Sequence, residues 1–164
     1  MADVVDKATR SRMMSGIRGK DTRPELILRK AMHGLGFRYR LHVADLPGKP
    51  DLVFPKYRAA VMVHGCFWHR HDCKFATTPS SNGAFWATKF EQNVLRDALK
   101  LRLLQKKKWR TAIVWECDLR GHDGKDAADK LAAWLRSGSR TIEIPRRKRA
   151  MNVHGLRTSS AKVV

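Results

Sequence analysis

Residues 51–64 read D-L-V-F-P-K-Y-R-A-A-V-M-V-H, and this stretch indicates the fold class. Two short apolar runs, Asp51 to Phe54 and Ala59 to Val63, are separated by P-K-Y-R, a segment that suits a connection between neighbouring strands. The stretch therefore predicts a strand-turn-strand unit within a β-sheet.

The rest of the chain predicts an α/β fold with a central mixed β-sheet flanked by helices. Strand-like runs also occupy 37–43, 111–115 and 141–144, and helical spacing of apolar residues covers about 22–35, 85–107 and 125–136. In the long helix, the apolar spacing places the basic residues outward and predicts a core face made of Phe90, Val94, Ala98, Leu101 and Leu104.

The 164 residues suit one domain with short extensions. We expect an N-terminal arm over 1–20, a folded domain over 21–144 and a basic, disordered tail over 145–164. The 34 Lys and Arg residues against 15 Asp and Glu residues give a formal charge of +19, which favours nucleic acid as the partner. The start M-A-D-V-V-D resembles no signal peptide and no long apolar run follows, so we expect an intracellular protein that does not enter membranes.

The segment H-G-C-F-W-H-R-H-D-C (64–73) concentrates potential metal ligands. Cys66 and Cys73 flank a histidine-rich loop, and Cys117 ends a strand that could lie beside the strand ending at Val63. Three cysteines and one histidine match a closed, structural zinc site, although spacing leaves the histidine open among those at 64, 69 and 71. The alternative is three unreactive thiols beside a solvated histidine.

A second group of residues suits phosphodiester chemistry. Asp51 begins one strand and His64 follows the next, so a carboxylate, a backbone carbonyl and an imidazole could share a magnesium ion. His69 or His64 could serve as the general base. Taken alone, Asp51 is better explained as a turn residue and Glu25 as the capping-box partner of Thr22, and Asp97 fits equally well as an exposed charge.

Aromatic residues accompany these ligands. Phe67 and Trp68 lie inside the ligand segment, and Trp86 follows a Ser-, Pro- and Gly-containing loop. On a basic protein, such rings can insert between bases and distort a duplex. The alternative is that they complete the hydrophobic core.

Six stretches closely resemble the very-short-patch-repair (Vsr) DNA mismatch endonucleases. They are M-S-G-I-R-G-K-D-T-R-P-E-L (14–26), G-F-R-Y-R-L-H (36–42), D-L-P-G-K-P-D-L-V-F (45–54), the ligand segment 64–73, F-W-x-x-K-F-x-x-N-V-x-R-D (85–97) and W-x-x-x-I-V-W-E-C (109–117). The resemblance implies a fold like that of type II restriction endonucleases. It also implies a magnesium-dependent nick on the 5′ side of the thymine in a T·G mismatch, a lesion left by deamination of 5-methylcytosine.

The resemblance also implies residue roles. Asp51 and the backbone carbonyl of Val63 would bind magnesium, His69 would activate water, and the supporting active-site residues would be His64, Glu25 and Asp97. A structural zinc would be held by Cys66, His71, Cys73 and Cys117. The DNA would be wedged from the major groove by Phe67, Trp68 and Trp86, and the arm, including Met14, would reach the opposite groove. The resemblance favours a monomer, with mismatch-repair proteins as further candidate partners.

Two other functions fit parts of the sequence. A zinc-stabilised DNA-binding module without catalysis would explain the charge and the cysteines, although not the combination of Asp51, His64 and His69. A nuclease with the same chemistry and a different target would also fit, because the bases read around the cut are not encoded in any recognisable pattern.

Overall fold

The computed structural model describes residues 6–16 and 19–146. Most of the predicted basic tail, residues 147–164, and part of the N-terminal arm lie outside the described residues. Within the described ranges, no helix combines the length and the apolar character needed to cross a bilayer.

A four-stranded mixed sheet in the order β1-β2-β3-β4 forms the centre of the described part of the chain. β1 (Leu52–Phe54) runs antiparallel to β2 (Ala59–His64), and a short 3-10 helix, Pro55–Tyr57, connects them. β3 (Arg110–Trp115) and β4 (Thr141–Ile144) extend the sheet in parallel. Every residue of β1 and β2 is buried, and the strand-turn-strand prediction is confirmed.

Helices flank this sheet, as predicted. They are α2 (Arg23–Gly34), α3 (Cys66–His69), α4 (Gly83–Lys106), α5 (Glu116–Leu119) and α6 (Lys125–Arg136), and a further helix, α1 (Lys7–Ser15), precedes them in the N-terminal arm. α3 and α4 connect β2 to β3, and α5 and α6 connect β3 to β4. Parallel neighbours require such crossover connections, so the helices are consequences of the strand directions.

Two hydrophobic cores hold the layers together. On one face of the sheet, Leu28 of α2 and Leu131 of α6 join Val61 in a large buried cluster. On the other face, Leu104 of α4 packs with Met62 in a smaller one. A fully buried Leu contributes about 1.5–3 kcal/mol relative to exposure, so these contacts fix α2, α6 and α4 around the sheet.

The predicted strand over 37–43 is wrong. Arg40 alone pairs with Val53, through an isolated antiparallel bridge with N···O distances of 2.8 and 2.9 Å. At His42, φ is 52°, so the chain leaves the extended conformation soon after this bridge. The ring of Tyr39 packs edge-on against Phe54. The alternation in the sequence therefore reflects a loop that contributes aromatic side chains to the core.

Helix α4 buries most of the predicted face, together with polar residues that the prediction left out. Phe90 is buried as expected, but Ala98 is exposed, whereas Asn93 is buried and Asp97 is partly buried. The prediction that the basic residues face outward is wrong for Lys100, whose side chain lines the cleft described below. The apolar spacing located the helix. It could not identify the polar residues of the helix that face inward and form a site.

Candidate active site and metal centre

An open cleft of about 670 Å³ lies beside the end of β2. Its lining includes Val63 and all five residues that the sequence suggested for catalysis: Glu25, Asp51, His64, His69 and Asp97. These residues come from α2, the start of β1, the end of β2, α3 and α4. The fold therefore brings together side chains that are up to 72 positions apart, from 25 to 97.

Asp51 is held at the floor of the cleft. One carboxylate oxygen accepts the backbone N–H of Val63 at 2.7 Å, and the Asp51 N–H donates to the carbonyl of Val61 at 3.0 Å. Burial raises the pKa of Asp51 to about 6, the Val63 N–H partly offsets this, and the charge of Glu25 adds to it. Asp51 is thus a partly buried carboxylate in a pocket, which an ordinary turn residue is not.

The two imidazoles of the cleft are stacked. The ring centroids of His64 and His69 lie 4.1 Å apart with an interplanar angle of 7°. Nδ1 of His69 forms a hydrogen bond with a carboxylate oxygen of Asp97, which leaves Nε2 as the other polar atom of that ring. This carboxylate fixes the orientation of His69, as expected for a base held by an acidic partner.

Asp97 is mostly buried, with a side chain 12% exposed, so it is not the surface charge that the sequence also allowed. Burial raises its pKa, but the hydrogen bond from His69 and the nearby positive groups outweigh burial and hold the pKa of Asp97 below its usual value. Donor atoms of His64, His69 and Asp97 all lie within 4.8 Å of one another, close enough to share a cation.

Glu25 does not form the expected capping box. Its carboxylate accepts the hydroxyl of Thr22 at 2.8 Å and the backbone N–H of Asp21 at 2.9 Å, so the backbone donor precedes the one that a capping box uses. The same carboxylate forms a buried ion pair with Arg29 at 2.8 Å. Sequence spacing gave no reason to place Glu25 near Asp51, but the position of α2 brings Glu25 into the same cleft as Asp51.

A cluster of potential metal ligands lies beside this cleft. Cys66, His71, Cys73 and Cys117 each offer one ligand atom, and these four atoms lie within 4.8 Å of one another. All three cysteines are free thiols. Sγ of Cys117 lies 3.4 Å from Nδ1 of His71, and burial raises the pKa of the Cys66 thiol.

The sheet explains how ligands 51 positions apart in sequence meet. β2 and β3 are parallel neighbours with His64 opposite Trp115, so α3 and α5 begin side by side. Cys66 and Cys117 each lie two residues beyond this aligned pair. The expectation that the strand before Cys117 lies beside β2 is therefore confirmed.

The donor chemistry of the cluster fits zinc. Three sulfurs and one imidazole nitrogen make a complete tetrahedral set, which is typical of structural rather than catalytic zinc. His71 is the histidine of this cluster, whereas His64 and His69 belong to the cleft. The ring of His71 also stacks on Trp115, with centroids 4.5 Å apart, which helps to orient the imidazole.

The aromatic residues form a cluster between α3 and α4. Phe67 contacts the rings of Trp68, Trp86 and Phe90 at centroid distances of 4.9, 5.5 and 5.2 Å. Phe67 and Trp68 are partly exposed, Trp86 is 9% exposed, and Phe85 beside it is 61% exposed. In the N-terminal arm, the side chain of Met14 on α1 is 38% exposed.

Two residues that support the site were not predicted from the sequence. Arg29 is buried between the carboxylates of Asp21 and Glu25, and nothing in its helical position distinguishes it from an exposed base. Asn93 donates its side-chain N–H to the carbonyl of Trp68 at 3.1 Å. Its position four residues before Asp97, on the same helix face, was a usable signal.

Comparisons with known proteins support one family. The family described as DNA mismatch endonuclease Vsr matches residues 2–75. The DNA mismatch endonuclease Vsr of Escherichia coli is 42% identical over 138 residues, which cover 82% of this chain and 88% of that protein. The chain belongs to the Vsr family.

Other Vsr-like relatives have names that describe nicking. The type II nicking enzyme V.XorIIP of Xanthomonas oryzae is 44% identical over 119 residues, 73% of this chain and 88% of that enzyme. V.NmeAIP of Neisseria meningitidis is 40% identical over 120 residues, 73% of this chain and 86% of that enzyme. This Vsr-family protein is therefore a DNA endonuclease, which decides against a non-catalytic zinc module.

Proposed function

We propose that this protein nicks a DNA duplex on the 5′ side of the thymine in a T·G mismatch and so starts replacement of that thymine. The observation that carries the proposal is the convergence of Asp51, His64, His69, Asp97 and Glu25 on one open cleft. Family membership supplies the endonuclease activity, and the similarity to the mismatch endonuclease of Escherichia coli supports the mismatch as the target.

The cleft provides the groups that phosphodiester hydrolysis needs. His69 takes the proton from the attacking water, and Asp97 orients the imidazole and stabilises its protonated form. His64 stacks on His69 and limits the rotation of the ring. Magnesium, held by Asp51 and the backbone carbonyl of Val63, would neutralise charge that develops on the phosphate.

The oxygen donors in the cleft suit this cation. Carboxylates and carbonyls are hard ligands, which magnesium prefers. Asp51 is partly buried and shares the cleft with a second carboxylate, Glu25, so a divalent cation would relieve the repulsion between them. In the neighbouring cluster, Cys66, His71, Cys73 and Cys117 would hold zinc and fix α3 against α5.

We further propose how the DNA is gripped. Phe67, Trp68 and Trp86 would form the wedge next to the mismatch, supported by the partial exposure of the first two and by their common packing on α4. The arm, including Met14, would contact the opposite groove. The +19 charge supports tight binding to phosphates throughout.

The same proposal extends to the fold, the division into domains, the oligomeric state and the cellular location of the enzyme. We assign the mixed sheet, with its carboxylate at the start of β1, to the type II restriction-endonuclease fold, and residues 1–20, 21–144 and 145–164 to arm, catalytic domain and basic tail. A nick in one strand needs only one active site, which supports a monomer. The enzyme would work in the cytoplasm at the nucleoid, with mismatch-repair proteins as candidate partners.

A nicking assay tests this function. Duplexes labelled on either strand, with one T·G mismatch in varied flanking sequences, are incubated with enzyme and magnesium, and the cut is mapped. We expect one nick 5′ of the thymine, no nick in the T·A duplex, and binding without cleavage by Asp51→Asn. An uncut T·G duplex in every flanking context would refute the proposal, and cleavage of matched duplex would favour a restriction-like target.

A further inference from the structure

Lys100 lies in the cleft rather than on the outer face of α4. It follows Asp97 by three residues, so the two side chains share a helix face, and its ammonium nitrogen is 3.9 Å from a carboxylate oxygen of Asp97. The side chain is 34% exposed, which leaves the ammonium open to the cleft. Its position is therefore next to the Asp97–His69 pair.

The aliphatic part of Lys100 is confined by Gly48. This glycine lies in the turn before Asp51 and has a φ of 76°. A Cβ built on Gly48 would lie 2.8 Å from Cγ and 2.9 Å from Cδ of Lys100, closer than such atoms can approach. The lysine chain thus runs against a bare backbone position, and the packing of α4 on this turn restricts where the ammonium can lie.

The other cations around the cleft are held less firmly. Lys49 is exposed in the turn, and Arg96 is exposed with a 3.4 Å hydrogen bond to Asn93. An ammonium has three N–H donors, and its long contact with Asp97 leaves donors for a ligand. A confined cation beside a proposed general base can stabilise a phosphate oxygen that gains charge during hydrolysis.

We propose that Lys100 binds a phosphate oxygen of the strand that is nicked and stabilises the charge that develops there. This inference rests on the proposed function, because it takes the cleft as the active site. It adds a cationic phosphate-binding residue to a cleft whose carboxylates repel a phosphate while they are ionised.

The test compares Lys100→Met with Lys125→Met. Methionine keeps much of the aliphatic packing against Gly48 and removes the charge, and Lys125 is an exposed control, 73% exposed on α6. Two quantities are measured on a T·G duplex: the single-turnover nicking rate in magnesium, and the salt dependence of binding in calcium. Thermal unfolding checks that both variants are folded.

For Lys100→Met, we expect the nicking rate to fall on the order of 100-fold. The slope of log binding constant against log salt should shrink by about 0.9, as for one lost phosphate contact. Lys125→Met should keep both wild-type values, and Lys100→Arg, which retains the charge, should recover most of the rate.

Three outcomes would overturn the inference. The first is an unchanged nicking rate and salt slope in Lys100→Met. The second is a slower rate with an unchanged salt slope, which would mean that Lys100 acts only through Asp97. The third is a folded Lys100→Arg protein that does not recover activity. If the wild-type enzyme does not nick the T·G duplex, the proposed function fails instead, and the salt slope still decides whether Lys100 contacts phosphate.

Discussion

Replacing Asp51 with Asn should stabilise the folded protein at neutral pH when magnesium is absent. Asp51 is partly buried, and desolvation raises its pKa from 3.8 to about 6 in the folded state. Asn keeps a side-chain oxygen for the Val63 N–H, which donates to Asp51 at 2.7 Å. The substitution therefore removes the cost of a buried charge while it retains the hydrogen bond.

The magnitude follows from the two pKa values. The folded state binds the Asp51 proton more tightly than the unfolded state does. The stability that this group contributes is therefore fully present below pH ~4 and is lost as pH rises through the folded pKa. Above pH ~7, the ionised carboxylate costs up to ~3 kcal/mol relative to a neutral group. We expect a gain of about 1–3 kcal/mol for Asp51→Asn at pH ~8, and a gain smaller by ~1.5 kcal/mol at pH ~5.

Urea unfolding followed by tryptophan fluorescence measures this difference. Both proteins are loaded with zinc and freed of magnesium, so protonation of the zinc ligands at low pH affects them alike and cancels in the comparison. Asp129→Asn provides a matched control, because Asp129 lies on the surface of α6 in an exposed pair with Lys125 and should change stability by less than about 0.5 kcal/mol.

Magnesium should then make the wild-type protein the more stable of the two, because it binds the Asp51 carboxylate and stabilises only that protein. The reasoning is refuted if Asp51→Asn is less stable than wild type at pH ~8, or if the difference between them does not change with pH.

Three further predictions concern the site. Asp97→Asn should slow nicking about 100-fold or more with little effect on mismatch binding, since it disturbs the orientation and charge of His69; equal losses of rate and affinity would contradict this role. Cys117→Ser should lower the zinc content from about one per chain and lower the unfolding temperature with it, as metal analysis and calorimetry would show. Trp68→Ala should weaken binding of the mismatched duplex by about 1–3 kcal/mol in a titration, and an unchanged affinity would remove Trp68 from the wedge.

Three of the strands were predictable because they are mostly apolar. β1, β2 and the second half of β3 consist largely of apolar residues between turns, and such runs are recognisable without any knowledge of their partner strands. The loop over 37–43 misled the prediction, since its alternation comes from aromatic side chains that reach the core without strand pairing.

The residues of the site were predictable only where they lie close together in the sequence. Cys66, His71 and Cys73 lie within eight positions, but spacing could not choose among the three histidines, and the Vsr resemblance made that choice. Glu25 and Arg29 depend on where α2 crosses the sheet, which periodicity does not specify. The inward polar face of α4 was missed for the same reason: tertiary partners, not local pattern, decide which polar groups are buried.

The proposed roles give the four residues of α3 a further consequence for where the strand is cut. Phe67 and Trp68 occupy its second and third positions and His69 its last, and four helical residues span ~6 Å, less than two base steps of ~3.4 Å in one strand. In the proposed complex, the geometry of this helix would set the separation between the distorted base step and the cut phosphate. One residue inserted between Trp68 and His69 would turn the imidazole by about 100° around the helix axis, so the cut could not simply move along the strand by one nucleotide.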